Sequence, residues 1–285
     1  MISGKTDLHM HSLSSDGVFS PSDLVKKAAE AGITFMALTD HDDVSGLDEA
    51  QSEADKQGIR FVPGTEISTG PNGRTHLLVY GKSAVTNMKL TECLLFFRKD
   101  REDRFLRMCE LVKQKLHVEV DGERLIRENM GSIGRPHMAD ELVRLNIVHD
   151  RDEAFRKYIG DHGPCYVPHP EFSTARAIRL AKDCGGIPVL AHPGLIKDRN
   201  KLFQVLPEWL NAGLMGLEVY YPAHKREHYE PWLSLSKEHN LLVTGGSDFH
   251  APGDQDEDHG LLGCTAEDWT RMKEDAERLL EKLEK

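Results

Sequence analysis

The chain has 285 residues, 39% hydrophobic and 29% charged, which is enough to bury one large α/β core and too apolar for disorder. Its formal charge of −11 repels polyanions at long range, which argues against coating nucleic acid through a broad basic surface and against binding extended duplex DNA. The five cysteines (Cys93, Cys109, Cys165, Cys184, Cys264) are scattered without C-x-x-C spacing, so neither a disulfide framework nor a thiolate zinc site is suggested. That usage fits a reducing, cytoplasmic setting. With no cationic, apolar leader and no apolar run long enough to span a bilayer, the chain reads as soluble, unexported and without a membrane partner.

A strand-like segment opens the chain. A helix is predicted over Pro21 to Gly32, with Ser20 as N-cap, Pro21 in the first turn, Leu24, Val25, Ala28 and Ala29 on one face, and Gly32 as stop. A strand over Ile33 to Thr39 follows, then a helix near Gly46 to Gln57, then strands over Ile59 to Val62 and Thr75 to Tyr80. Such alternation predicts parallel strands joined by crossover helices.

Between about Thr86 and Pro170 the pattern changes. Leu90 to Leu116 reads as one long charged helix, and the stretch holds as many basic as acidic residues, so the rest of the chain carries the whole −11. Residues 86–170 are therefore expected to form an inserted, mostly helical subdomain, with 1–85 and 171–285 making up the α/β body. The run Arg98 to Arg104 alternates in sign and is expected to be a solvated helix face. Alternation then resumes with helix Ser173 to Cys184, strand Ile187 to Ala191, helix Leu202 to Ala212, strand Gly216 to Tyr220, helix Lys225 to His239 and strand Leu241 to Thr244. A terminal helix from about Glu267 carries Trp269, Met272, Ala276, Leu279, Leu280 and Leu283 at core-packing spacing.

Chemistry gathers at the ends of the apolar runs. Asp7-Leu8-His9-Met10-His11-Ser12 stands near the start, and Thr39-Asp40-His41, Ala191-His192-Pro193 and Ser247-Asp248-Phe249-His250 follow later strands, with Glu66 after Phe61-Val62-Pro63-Gly64. Side chains two apart share a face of a strand, so His9 with His11 and Asp248 with His250 project together. A single such histidine is commonly a hydrogen-bonded structural residue, and a single strand-end Asp a helix cap. Five or more strand ends bearing imidazole or carboxylate are costly to bury without a partner, and their mixed N and O donors suit a multinuclear metal site at one mouth of an α/β fold.

These segments, with Gly64-Thr65-Glu66, resemble in order the motifs of the polymerase and histidinol phosphatase (PHP) superfamily of metal-dependent phosphoesterases, over nearly the whole chain. The resemblance implies a distorted (β/α)7 barrel with a trinuclear site holding two or three divalent ions. Manganese is the first expectation, with iron or zinc as alternatives. His9, His11, Glu66 and Asp248 would hold the first ion, with Glu66 bridging to a second held by His76 and His192, and Asp16, His41 and His250 would hold the third. Asp7 and Asp40 would orient neighbouring imidazoles. Three dications against three carboxylates leave a formally positive pocket suited to phosphate, and a metal-bridging hydroxide would attack phosphorus with Asp248 among the catalytic groups.

Gly134-Arg135-Pro136-His137 and the turn near Gly163-Pro164-Cys165-Tyr166-Val167 further resemble a subgroup of stand-alone PHP enzymes. These act on nucleoside 3′,5′-bisphosphates and short 5′-phosphorylated RNA. Arg135 and His137 are thus implied as phosphate contacts, and His224, in Tyr220-Tyr221-Pro222-Ala223-His224, as a phosphate contact or proton donor. Where the subgroup often carries a lysine, this chain has Asp161-His162-Gly163. The expected substrate is a small phosphorylated nucleotide or short oligonucleotide, cut at its 3′ ester. A histidinol-phosphate phosphatase and a non-catalytic PHP scaffold module are the alternatives.

Overall fold

The computed structural model describes residues 5–129, 132–196, 199–222, 224, 229–252, 277–279 and 281–283. In chain order the elements are β1 (Lys5–Asp7), α1 (Pro21–Glu30), β2 (Ile33–Leu38), α2 (Leu47–Gln57), β3 (Arg60–Thr69), β4 (Thr75–Tyr80) and α3 (Lys82–Val85). The helices α4 (Met88–Leu116), α5 (Gly122–Glu128), α6 (Arg135–Arg144) and α7 (Arg151–Ala154) follow, and a π-turn over Phe155–Ile159 extends the last of them. Then come α8 (Thr174–Asp183), β5 (Ile187–Leu190), α9 (Arg199–Ala212), β6 (Gly216–Tyr220), α10 (Tyr229–Glu238) and β7 (Leu242–Gly245).

The seven strands form one sheet in sequential order. It closes on itself through Leu8 N–H to Gly245 O at 3.1 Å, Asp248 N–H to His9 O at 2.8 Å and His11 N–H to Phe249 O at 2.9 Å, which makes a barrel. The closure is tight. A Cβ on Gly246 would lie 2.4 Å from the His9 Cβ, so a side chain there would force the first and last strands apart. Alternate residues sort the two faces: Phe35, Ala37, Leu78, Tyr80 and Val189 fill the barrel, while Met36, Leu38, Leu77, Val79 and Leu190 pack outward on helices. Inside, the Tyr80 hydroxyl donates to Leu8 O at 2.7 Å.

One expectation is corrected. β4 runs antiparallel to both β3 and β5, so the strands are not all parallel. The short turn Pro71–Gly73 folds β4 back as a hairpin on β3, and β3 is longer than expected because its second half pairs with β4 from Gly64 to Thr69. Reversal has a consequence for chemistry. The first residues of β4 lie at the same mouth as the last residues of the parallel strands, and His76 is among them.

α1 begins as expected, with Ser20 capping the Asp23 amide at 3.2 Å, and α2 ends at Gly58 with φ +66°. Between α4 and the π-turn the described residues form only helix and loop. α4 is long enough to serve two clusters: Leu90, Leu94 and Phe97 pack on the barrel side, and Phe105, Met108 and Val112 pack with Met138, Leu142 and Ile159. Most of the expected terminal helix lies outside the described residues, but Leu279 is fully buried in the barrel interior cluster. Among the described residues no helix is long and apolar enough to cross a membrane.

Candidate metal centre

His9 and His11 leave the end of β1 on either side of Met10, which bridges to Phe249, so the two rings turn to one side while Met10 packs outward. Asp7 fixes this junction by accepting from the backbone amides of His9 (3.2 Å) and Ser247 (2.9 Å). Asp40 accepts from the Ser12 amide and hydroxyl and from the Ser15 hydroxyl, and Ser15 Oγ in turn lies 3.4 Å from His11 Nδ1. These bonds hold backbone and hydroxyls, so Asp40 steers the His11 imidazole at one remove.

All nine expected ligands meet at one mouth. The donor atoms of His9, His11, Glu66 and Asp248 lie within 4.8 Å of one another, as do those of His11, Asp16, His41 and His250, and those of His41, Glu66 and His76. Glu66 is the centre. One oxygen faces His9, His11 and His41 at 3.2, 3.3 and 3.0 Å, and the other faces His76 at 2.9 Å and His192 at 3.2 Å. Asp248 approaches His9 and His11 at 3.3 and 3.0 Å, and Asp16 lies 3.3 Å from His250. The third group thus includes His11 besides Asp16, His41 and His250.

The orientation of these atoms says what they are for. His9 Nε2, His11 Nε2, Asp16 Oδ1, His41 Nδ1, Glu66 Oε2, His76 Nδ1 and Asp248 Oδ1 are buried and lack a properly aligned hydrogen bond. Buried polar groups are rarely left so, and each costs roughly 1–3 kcal/mol. Lone pairs that converge on shared points without bonding each other are the donor set of divalent cations, and hard oxygens mixed with imidazole fit manganese, iron or zinc. Electrostatics agree. Burial opposes charge on His9, yet Glu218, Glu66 and Asp248 outweigh it and hold the ring well above its ordinary range. Burial likewise favours a neutral Glu66, but the rings of His9, His41 and His76 keep it well below the usual carboxylate range. The mouth stabilises charge of both signs, and a cation does what the ring protons do.

Two orienting residues escaped the sequence reading. Glu218 lies on β6 between Leu217 and Val219, which face outward, so its fully buried carboxylate points into the barrel. It accepts from His9 Nδ1 at 3.0 Å, which turns the His9 Nε2 lone pair toward the mouth, and from the His192 amide at 2.8 Å. Tyr221 donates to Asp248 at 3.0 Å, and burial beside that carboxylate keeps the phenol protonated. A lone acid inside an apolar strand was the available signal for Glu218. Strain marks the place as well: Asp42, His192 and Asp248 hold φ values of +51°, +26° and +53°.

The remaining expected residues separate. A cavity of 580 Å³ opens beside His76 and His192 and is lined by Arg74, Arg135 and Lys201 together with the apolar Leu202, Val205 and Trp209. Arg135 therefore reaches the site. His137 is absent from that lining: its Nδ1 accepts the Gly134 amide and its Nε2 meets Asn129, both at 3.0 Å, so it caps α6. His224 meets Tyr221 edge to face, but its Nδ1 bonds Val219 O at 3.0 Å and its Nε2 accepts the Gly194 amide at 2.9 Å. Neither ring nitrogen is left to meet a substrate or give it a proton. The charged run on α4 is only partly a solvated face. Arg101 pairs at its Nε, 2.9 Å away, with the fully buried Asp42 carboxylate, and Arg104 is buried against Val167 O. Arg101 lies four residues from Phe97 and from Phe105, and Arg104 seven from Phe97 and four from Met108, in step with the apolar stripe, a spacing that the alternation of charge disguised.

Comparison with known proteins agrees with this geometry. The PHP domain family matches residues 7–157, more than half of the chain. The chain belongs to the PHP family. It is accordingly a metal-dependent phosphoesterase, a hydrolase of phosphoester bonds. A 3′,5′-nucleoside bisphosphate phosphatase of Chromobacterium violaceum is 33% identical over 257 residues, covering 89% of this chain and 90% of that protein. A 5′-3′ exoribonuclease of Haemophilus influenzae is 33% identical over 250 residues, covering 87% and 90%. A structure from Bifidobacterium adolescentis, described as a metal-dependent phosphoesterase, superposes with a TM-score of 0.84 at 30% identity, covering 97% and 96% of the two chains.

Proposed function

We propose that this PHP enzyme hydrolyses the 3′-phosphate ester of 5′-phosphorylated nucleotides, such as nucleoside 3′,5′-bisphosphates and short 5′-phosphorylated RNA. One observation carries the reading: the cavity that begins at His76 and His192 also bears Arg74 and Arg135, so a molecule with one phosphate at the metal centre meets guanidinium groups with its second. The names of the relatives from Chromobacterium violaceum and Haemophilus influenzae support the same substrate class.

His9, His11, Glu66 and Asp248 would hold one divalent ion, His76 and His192 a second with Glu66 between them, and Asp16, His41 and His250 a third beside His11. Manganese is the metal we propose. Such ions, once bound, would polarise phosphoryl oxygens and acidify water. The chain's own residues supply placement: Glu218 and Tyr221 fix the His9 ring and the Asp248 carboxylate, Asp42 and Arg101 brace the loop after His41, and the apolar wall from Leu202 to Trp209 keeps the cavity partly dry. Arg135 is the proposed contact for the second phosphate, and His137 steadies it by capping the helix that begins with it. Residues 86–170 would then form a substrate-recognition subdomain, which their own apolar cluster supports.

Purified protein with manganese, offered adenosine 3′,5′-bisphosphate, a short 5′-phosphorylated RNA and histidinol phosphate in parallel, tests this. Turnover of the first two is expected, and exclusive turnover of the third would overturn the reading. Arg135→Ala should lower kcat/KM on the bisphosphate by about tenfold or more relative to its effect on a simple aryl phosphate. An equal loss on both would give Arg135 a structural role.

A further inference from the structure

Asp161 belongs to the turn after the π-turn of α7, where Gly163 N–H returns to Gly160 O at 2.7 Å. Its carboxylate faces two arginines that line the cavity beside the metal centre. There it accepts from Arg135 at 3.0 Å and is paired with Arg74, and both arginines line the cavity together with His76 and His192. The Asp161 side chain is 14% exposed and that of Arg135 26%, so the contact is only partly screened by water. Arg135 is also held between the rings of Phe155 and Tyr166, each 5.6 Å from its guanidinium carbon, which fixes the fork while leaving the anion it grips exchangeable.

We propose that Asp161 is a specificity-determining residue, an internal carboxylate that fills the cradle of Arg74 and Arg135 and competes there with the second anionic group of the substrate and of the product. The proposal rests on the function given above. A phosphate dianion carries more charge than a carboxylate and offers three oxygens to paired guanidinium groups, so it displaces Asp161. The displaced carboxylate stays close by. A nucleoside 5′-monophosphate, left after the 3′ ester is cut, keeps the very group that sits in the cradle and would otherwise leave slowly. Return of Asp161 to the arginines favours its departure, and holds the affinity for any two-phosphate ligand below what two free guanidinium groups would give.

The test compares wild type, Asp161→Asn, Asp161→Glu and the double variant Asp161→Asn with Arg135→Gln, each as full-length, manganese-loaded protein. Calorimetric titration with adenosine 5′-monophosphate should show a Kd about fivefold to tenfold lower for Asp161→Asn, a gain of the size one part-buried charge pair provides. Asp161→Glu should stay near wild type, and the double variant should lose the gain. In kinetics, the ratio of kcat/KM on adenosine 3′,5′-bisphosphate to that on an aryl phosphate should rise by a similar factor. The gain should shrink as salt is added. Unchanged or weaker binding by Asp161→Asn, or the same effect from Glu as from Asn, would overturn the proposal, since charge in the cradle would then not be the cause. Should Asp161→Asn fold poorly, Asp161→Ser removes the same charge and is read by the same titration. Because the titration needs no turnover, a wild type inactive on bisphosphates would defeat the substrate reading while the titration still decides the role of Asp161.

Discussion

Glu218 and His9 share a buried contact at 3.0 Å in which the ring can only donate, and the same carboxylate takes the His192 amide at 2.8 Å. One acid therefore sets the tautomer of one proposed ligand and the backbone position of another, which face different oxygens of Glu66. Glu218→Gln keeps an acceptor but loses the charge, and Glu218→Ala loses both. Metal affinity should fall about tenfold for the first and about 100-fold for the second. Metal content after dialysis against graded chelator checks this. Full retention by the alanine variant would show that His9 needs no such support.

The two carboxylates Glu66 and Asp16 differ in reach. Glu66 faces His9, His11, His41, His76 and His192, whereas Asp16 faces His11 and His250. Asp16→Asn should therefore cost roughly one ion per chain, and Glu66→Gln at least about two. Elemental analysis of the loaded variants reads the difference directly. Equal losses would mean that the ions enter and leave as one unit, against a separable third position.

Much of this site was legible because its residues stand where apolar runs stop: His41 follows β2, His192 follows β5, and Asp248 with His250 follows β7. A run of buried residues ending in an ionisable one is a local signal, and locality is what a sequence displays. Pairing direction is not local. The alternation of strand and helix around Thr75 to Tyr80 pointed to parallel strands, and the hairpin that brings His76 to the mouth shows only in three dimensions. Arg101 was hidden for a different reason: its partner Asp42 lies far back in the chain on a loop, and the spacing of like and unlike charges on α4 imitates a solvated face.

Cys109, which is buried, and Cys93, which is partly so, give a test of the helical stretch. Burial pushes Cys109 up to about 12 and Cys93 up to about 11. A thiol raised this way stays protonated below that pH, so it contributes stability that is complete below the ordinary thiol range and is lost as pH climbs toward 12. At pH 8 the thiolate of Cys109 should be roughly 10³-fold scarcer than in an unfolded chain. Alkylation by iodoacetamide, followed by peptide mass analysis, should be slow at Cys109 in native protein and fast in denaturant. Equal rates in both would mean that α5 does not cover this face of α4.

His224 decides between a proton donor and a strut. Its Nδ1 proton goes to Val219 O, its Nε2 lone pair takes the Gly194 amide, and a Cβ on Gly194 would lie 2.4 Å from the ring, so ring and loop are fitted to each other next to His192. His224→Ala strands buried backbone groups at both ends and should lower stability by about 1–3 kcal/mol. A strut that positions the His192 loop should, when lost, slow esters with good and poor leaving groups alike, and Gly194→Ala, whose Cβ would push the ring out of its fit, should reproduce the effect with the imidazole still present. A proton donor behaves otherwise: its loss would spare a nitrophenyl ester, whose leaving group needs no proton, and would erase the alkaline limb of the pH profile for an alkyl ester. The two hydrogen bonds favour the strut, and kinetics on that pair of esters distinguishes it.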